Sequence, residues 1–407
     1  MRISDIIQKK KRGGELTEEE IRRFVVGFTL GKIPDYQAAA LLMAICFQGM
    51  TRKETHALCA AMAASGKEVD CSKIEGPTVD KHSTGGVGDK VTLIAAPIAA
   101  ALGCKVAKMV SRGLDYTGGT GDKLDAVPGC RTALNADMFL NQVNRIGLAL
   151  IGRTEDLSSA DHKLFALRDV TGTAASLPLI ASSVMSMKLA TGCQNIILDV
   201  KLGSGSFMKT PEEAKELASL MVEIGKKAGR NVKAVITDMD APLGFAVGNN
   251  LEVTEAIEVL NGGGPEDLKT VSFTVAALMY AACFNKTQEE AEEAVSKAVA
   301  DGSALDKLAQ MIRLQRGDSN LIYHPDGFPV SKIVRTVSAP QSGFLSRMNT
   351  EEIGKAARLL GAGREQKDSR IYYSAGIVLH AKPGDYLEKG QSLVCFLLLS
   401  GSWQETG

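Results

Sequence analysis

The chain has 407 residues, 45% of them hydrophobic, which is long for a single core and sufficient for two or more packed units, so disorder is not expected. Lys plus Arg and Asp plus Glu both number 47, and this balance excludes a strongly basic or acidic surface made for nucleic acid or another polyion; any bound anion must be held by local groups. Eight cysteines without a CxxC pair argue against zinc and against a disulfide framework, and the N-terminus has no apolar core ahead of a cleavage site, so the reducing cytoplasm is the expected location.

Residues 1–66 read as helical. Thr17 with Glu20 and Thr51 with Glu54 have the spacing of capping boxes, in which a hydroxyl and a carboxylate each satisfy a backbone N–H, and Asp35 opens the apolar run AAALLMAIC. A polar connection runs to Val79. From Asp80 a Gly-rich turn, a helix over about 91–103 and an apolar strand over Cys104–Val110 give the alternation of an α/β domain with a parallel sheet. NIILDV (195–200) and VKAVIT (232–237), joined by a helix that opens at Thr210, Pro211 and Glu213, form a βαβ unit. Beyond 330 the pattern turns strand-rich, as in GIVLHAKPGDYLEKGQSL, and LLLSGSWQETG (397–407) reads as a frayed end. No stretch is expected to supply the ~18 apolar residues of a membrane span.

Two segments carry chemistry. Asp80-Lys81-His82-Ser83-Thr84-Gly85-Gly86-Val87-Gly88-Asp89 places a cation, a hydroxyl pair and three glycines directly before a helix. Glycines let the backbone approach a ligand and turn N–H groups inward, and the helix N-terminus adds partial positive charge, so this loop suits an anion. It is neither a Walker loop nor GxGxxG. Ser111-Arg112-Gly113-Leu114-Asp115-Tyr116-Thr117-Gly118-Gly119-Thr120 follows the next strand. Two such loops at successive strand ends point to one phosphate-sized site between them, against the plainer reading of two tight turns.

KHSTGGVGDK, RGL..TGGT.DKL, LRDVTGT (167–173), DVKLGSGSFMK (199–209) and ITDMDAPLG (236–244) resemble motifs of the thymidine and pyrimidine-nucleoside phosphorylases, and the resemblance extends over nearly the whole chain. It implies a small helical domain (1–66 and about 160–193) that carries the base side and forms a homodimer. It also implies a large α/β phosphate-binding domain (about 75–158 and 194–330), a C-terminal β-rich module (331–407), and an active site in the interdomain cleft. Around inorganic phosphate, the co-substrate, it places Lys81, Ser83, Gly85, Thr92, Ser111 and Thr120. His82 becomes the acid beside ribose and base. Arg168, also catalytic, and Ser183 meet the pyrimidine edge, with Leu114, Tyr116, Phe165 and Met187 completing the base side. Gly88, Leu243, Ala246 and Glu255 match positions that hold a monovalent cation, implying potassium, although Lys90 stands where the family has threonine and its ammonium could compete. No organic cofactor is implied.

The resemblance has departures. Met187 replaces a base-binding lysine, Phe165 a tyrosine, Val110-Ser111 a Ser-Gly, and Asp115-Tyr116 a Gly-His. A buried lysine replaced by methionine removes a charge-assisted hydrogen bond of roughly 1.5–3 kcal/mol. The expected activity is therefore phosphate-dependent cleavage of a nucleoside to free base and (deoxy)ribose 1-phosphate, with a base preference altered from uracil or thymine. The alternatives are an ordinary, low-activity pyrimidine-nucleoside phosphorylase, a phosphoribosyltransferase using Asp122 and Asp125 for magnesium, and a non-catalytic nucleoside or phosphate binder.

Overall fold

The computed structural model describes residues 2–66, 69–152, 159–364 and 369–398. Most of the expected frayed end, 399–407, lies outside the described residues.

Helices α1 (Ile3–Lys11), α2 (Glu18–Thr29), α3 (Asp35–Gln48) and α4 (Arg52–Ala63) open the chain. Both expected capping boxes are formed, at Thr17/Glu20 and Thr51/Glu54. Next come β1 (Thr78–Ser83), α5 (Val91–Ala101), β2 (Lys105–Val110), α6 (Thr120–Asp125), α7 (Ala136–Ile146) and β3 (Leu148–Gly152). They are followed by α8 (Ser159–Asp169), α9 (Leu177–Thr191), β4 (Asn195–Leu202), α10 (Pro211–Lys227), β5 (Asn231–Asp238), α11 (Asn249–Leu260) and α12 (Glu266–Phe284). Although distant in sequence, α8 and α9 pack on α4, and Leu164 and Leu179 join Phe24, Leu41 and Leu58 in one core.

The five strands form a parallel sheet in the order β3-β2-β1-β4-β5. From β1 the chain winds outward to β3, then returns to the other side of β1 with β4. The winding direction thus reverses between β1 and β4, and a crevice opens beyond their carboxyl ends. Because successive side chains alternate, Ile197 faces α5 and α12 while Ile196, Leu198 and Val200 face α9 and α10. With both faces covered, β4 begins, after Asn195, with the apolar run Ile196-Ile197-Leu198, whereas the central strand β1 carries the buried Asp80 and Lys81 at its middle. By length and composition α12 does qualify as a membrane span, contrary to the sequence expectation. Its Leu268, Val275, Ala276 and Met279 are nevertheless fully buried in the core it shares with α5.

The C-terminal β-rich module is antiparallel and takes its first strand from the α/β unit. Ala246–Val247 pairs with Gly376–Leu379, which pairs with Ser392–Leu398, which pairs with Ile333–Ser338. All eight cysteines are free thiols.

Glu54 does more than cap α4. One carboxylate oxygen accepts from Lys10 Nζ and Leu16 N, both at 2.8 Å, and the other from Thr51 N at 2.8 Å. Glu54 and Lys10 are both buried. Burial pushes the Glu54 carboxyl up, but the Leu16 N–H, the Lys10 ammonium and the Thr51 N–H bring it below its ordinary value. A carboxylate with a lowered folded-state pKa stabilises above the unfolded pKa of about 4.3, and that stabilisation is lost as pH falls through the folded value. Glu54→Ala should cost about 3–5 kcal/mol, because Lys10 is left buried without its counter-charge. Thermal melts should show this at pH 7, with a smaller difference between variant and parent under acid conditions; equal melting temperatures at neutral pH would refute the role.

Candidate active site

The loop after β1 is fastened to β4. Thr84 N donates to Asp199 O at 3.0 Å, and Thr84 Oγ1 accepts from Lys201 N at 2.8 Å. Gly88 has φ +74°, and a Cβ there would lie 2.8 Å from Leu243 O, so glycine is required by both conformation and space. In the loop after β2, Leu114 and Thr117 exchange backbone hydrogen bonds of 3.1 and 3.0 Å around a tight turn. Asp115 sits in this turn at φ 54°, in the left-handed region that aspartate tolerates better than most residues. Its N–H donates to Asp169 Oδ1 at 2.7 Å, joining the loop to the end of α8.

A cleft of about 730 Å³ lies between the two units. On the α/β side it is lined by His82, Ser83, Gly85, Thr92, Ser111 and Thr120. On the helical side stand Phe165, Arg168 and Ser183, with Leu114 also on the wall. The fold thus brings residues far apart in the chain into one chamber. Ser111 Oγ is buried and has no hydrogen-bond partner among the described residues.

Three expected residues are not on the cleft wall. Lys81 lies beneath it, with Nζ 3.2 Å from Asp199 Oδ2, the oxygen that Lys201 Nζ approaches at 2.9 Å. Tyr116 turns behind Phe207: the two ring centroids are 5.6 Å apart, and the Tyr116 hydroxyl donates to Ser206 O at 2.8 Å. Its ring lines a separate cavity beside Asp115, Asp169 and Arg358. Met187 is fully buried among Met109, Phe139, Ile151 and Cys193. One helical turn beyond Ser183, α9 has already passed from the cleft wall onto the sheet, so the expected placement of Met187 at the base edge is corrected.

Several wall residues escaped the sequence reading. Phe207, Ile180 and Val184 add apolar surface, and Lys108 and Asp89 add charge. Lys108 carried a signal, since it is a charged residue in the apolar strand KVAKMV. Its Nζ donates to Lys81 O and lies 3.8 Å from Asp80 Oδ1, while Lys188 Nζ holds Asp80 Oδ2 at 2.7 Å. Burial, with the nearby Lys188 ammonium, pushes Lys108 well below the ordinary lysine range, and Asp80 only partly opposes this. Burial pushes the Asp89 carboxyl up, but the ammoniums of Lys201 and Lys81 outweigh it and hold the group far below the usual carboxylate range.

Arg168 is fixed by three carbonyls. Nε donates to Thr173 O at 3.1 Å, Nη1 to Leu179 O at 3.2 Å, and Nη2 to Ala174 O at 2.7 Å. These bonds join the end of α8 to the start of α9, so the guanidinium is presented to the cleft in one orientation.

The acidic pair considered for magnesium is engaged otherwise. Asp122 accepts from Gly113 N at 2.6 Å and from Arg364 Nη2 at 2.8 Å, and Asp125 pairs with Arg112 at 3.2 Å. No group of three or more metal-ligating side chains occurs among the described residues. The oxygens expected to hold potassium also have a partner: Leu243 O, Ala246 O and a Glu255 carboxylate oxygen all accept from Lys90 Nζ.

Known proteins with the same arrangement give it a class. Residues 4–66 match the helical bundle domain of a glycosyl transferase family, and residues 75–305 match the a/b domain of that family. Residues 344–396 match the pyrimidine nucleoside phosphorylase C-terminal domain. The anthranilate phosphoribosyltransferase of Thermus thermophilus superposes with a TM-score of 0.61 at 20% identity, covering 76% of this chain and 99% of that one, which establishes a shared fold. A helical bundle and an α/β unit facing each other across a cleft therefore define a glycosyl transferase of this architecture.

Whole-chain similarity is more specific. The pyrimidine-nucleoside phosphorylase of Bacillus subtilis (strain 168) is 51% identical over 395 residues, covering 97% of this chain and 91% of the relative. That of Geobacillus stearothermophilus is 48% identical over the same coverage. The chain belongs to the pyrimidine-nucleoside phosphorylase family.

Arg168→Lys tests the carbonyl clamp. An ammonium cannot span three carbonyls spread over Thr173, Ala174 and Leu179, and each acceptor left unsatisfied costs about 1–3 kcal/mol. The variant should melt several degrees below the parent and become more protease-sensitive near residue 173. An unchanged melting temperature would show that the clamp contributes little.

Proposed function

We propose that this chain is a pyrimidine-nucleoside phosphorylase, cleaving the nucleoside with inorganic phosphate to give free base and (deoxy)ribose 1-phosphate. The observation that carries the reading is the opposition, across one cleft, of a hydroxyl- and lysine-bearing floor to Arg168 and Ser183. The whole-chain identity to pyrimidine-nucleoside phosphorylases supports the same reaction.

In the reaction, a phosphate oxygen forms a bond to the anomeric carbon as the C–N bond breaks, and the bonding pair leaves with the base. Positive charge grows on the sugar and negative charge on the base. Ser83, Thr92, Ser111, Thr120 and Lys108 would hold the phosphate, with the Lys81 ammonium below adding favourable potential. Arg168 and Ser183 would donate to the base edge as its charge grows, and His82 would supply the proton. Leu114, Phe165, Ile180 and Phe207 would enclose the reacting groups and exclude water.

The altered base preference expected from Met187 gives way to an ordinary pyrimidine preference. Met187 is packed in the core, and the family relatives are named for pyrimidine nucleosides. We also propose a homodimer through the helical unit: Tyr36 and Phe47 of α3 are 75% and 81% exposed, and Leu30 after α2 is 63% exposed, an unusual concentration of bare apolar surface.

A panel of uridine, thymidine, deoxyuridine, cytidine and purine nucleosides, each with and without phosphate, tests the activity by release of free base. Uridine or a thymine nucleoside should be cleaved only with phosphate, and purine nucleosides should be spared. Turnover confined to purines, or absent altogether in folded protein, would overturn the proposal.

Lys108 adds a pH dependence. With its pKa depressed by burial and by Lys188, the ammonium is present below the depressed value and lost as pH rises through it. Phosphate use should therefore decline on the alkaline side, earlier than an ordinary lysine would allow. Lys108→Met should reduce kcat/KM for phosphate about ten- to a hundred-fold at neutral pH, the equivalent of one charge-assisted hydrogen bond, and remove that alkaline decline. Retention of the same pH profile in the variant would assign it to another group.

A further inference from the structure

Lys90 ends the glycine-rich loop and occupies the N-cap position of α5. Its side chain is fully buried and runs to a point where three oxygens converge. Nζ donates to Leu243 O at 2.8 Å, to Ala246 O at 2.9 Å, and to a carboxylate oxygen of Glu255. An ammonium has three protons, and here each has an acceptor. The other oxygen of Glu255 accepts from Phe245 N at 2.7 Å and Ala246 N at 3.2 Å, so the carboxylate is held in place by the loop it neutralises.

Two backbone carbonyls and one carboxylate make an oxygen cradle for a singly charged cation. A metal ion bound by these three oxygens would have to lie where Nζ lies. The surroundings leave little space beside it: a Cβ added at Gly244 would come within 2.2 Å of Glu255 Oε2 and 3.0 Å of Lys90 Nζ. The residues therefore do not fit the potassium ion that family resemblance implies.

We propose that the Lys90 ammonium is a built-in replacement for a monovalent cation, so that this protein needs neither potassium nor sodium for stability or activity. The charge is the same, but it is covalently attached. It links the glycine-rich loop, the 243–246 segment and α11 without a binding equilibrium. Lys90 is then a positioning residue for the cleft: it touches neither the nucleoside nor the phosphate of the proposed reaction, and it fixes the loop that carries Ser83 and Gly85.

The test replaces KCl by N-methyl-D-glucamine chloride at constant ionic strength and follows melting temperature and phosphorolysis. The parent should show no saturable response to potassium or sodium in either measurement. Lys90→Thr leaves the oxygens without a counter-charge; its melting temperature should fall by several degrees in the organic cation and recover saturably as KCl is added, as binding linkage requires. Its phosphorolysis, where the parent has it, should become potassium-dependent. A saturable rise of the parent's melting temperature with KCl would overturn the proposal, and this measurement decides the matter even if the variant does not fold. A Lys90→Thr protein as stable as the parent in every salt would overturn it too. The thermal readout is independent of the phosphorylase assignment, so failure of that assignment would appear separately, as absent turnover in a parent whose melting ignores potassium.

Discussion

Asp199 is fully buried in the carboxyl-terminal half of β4 and faces two ammoniums, Lys81 at 3.2 Å and Lys201 at 2.9 Å, while Thr237 Oγ1 donates to its other oxygen at 2.7 Å. An isolated carboxylate at this depth would be strongly unfavourable, and two isolated lysines would be worse. Their mutual presence leaves surplus positive charge directly beneath the cleft floor. That surplus holds Asp89 ionised, and it acts over the short distances at which a low-dielectric interior screens poorly. The cluster sits where the sheet's winding direction reverses, so topology and electrostatics converge on one spot.

The helical unit supplies the opposite wall, and the two walls are in contact. Asp115 N donates to Asp169 at 2.7 Å, and Arg358 from the C-terminal region reaches Asp115 Oδ1 at 3.4 Å. Both contacts use exposed or half-exposed groups, where individual interactions are modest. Deeper in, the join is firmer: α9, whose start the Arg168 carbonyl clamp fixes, packs Met185 against Ile196 and Leu198 of the sheet, and its Lys188 Nζ lies 2.7 Å from the buried Asp80 Oδ2.

Much of this organisation was legible before the structure. Glycine and hydroxyl density at two successive strand ends located the phosphate-side loops, because close backbone approach to an anion demands those residue types. The Thr17/Glu20 and Thr51/Glu54 spacings located helix starts for an equally local reason. What stayed hidden depends on depth and on distant partners. The four-residue offset from Ser183 to Met187 gives direction around α9, but not the point at which the helix leaves the cleft for the sheet. Tyr116 could not reveal that its hydroxyl would seek Ser206 O instead of a ligand. Lys108 was readable as a misfit in an apolar strand, yet its closeness to Lys188 comes only from packing. Lys90 was visible as a competitor for a cation, whereas the three acceptors that hold it lie over 150 residues downstream.

The C-terminal sheet gives the molecule a dependence on order of synthesis. Its first strand, Ala246–Val247, contains one of the carbonyls that Lys90 holds, and among the described residues its strand partner is Gly376–Leu379, about 130 residues later. Leu379 N also donates to Phe245 O at 2.9 Å, and Lys382 Nζ to Pro242 O at 2.9 Å. As the chain leaves the ribosome, the parallel sheet and its helices can pack early, but the segment that steadies the glycine-rich loop waits for partners made much later. Among the described residues the module lines none of the cleft, yet it is thus the last support of the glycine-rich loop to be made.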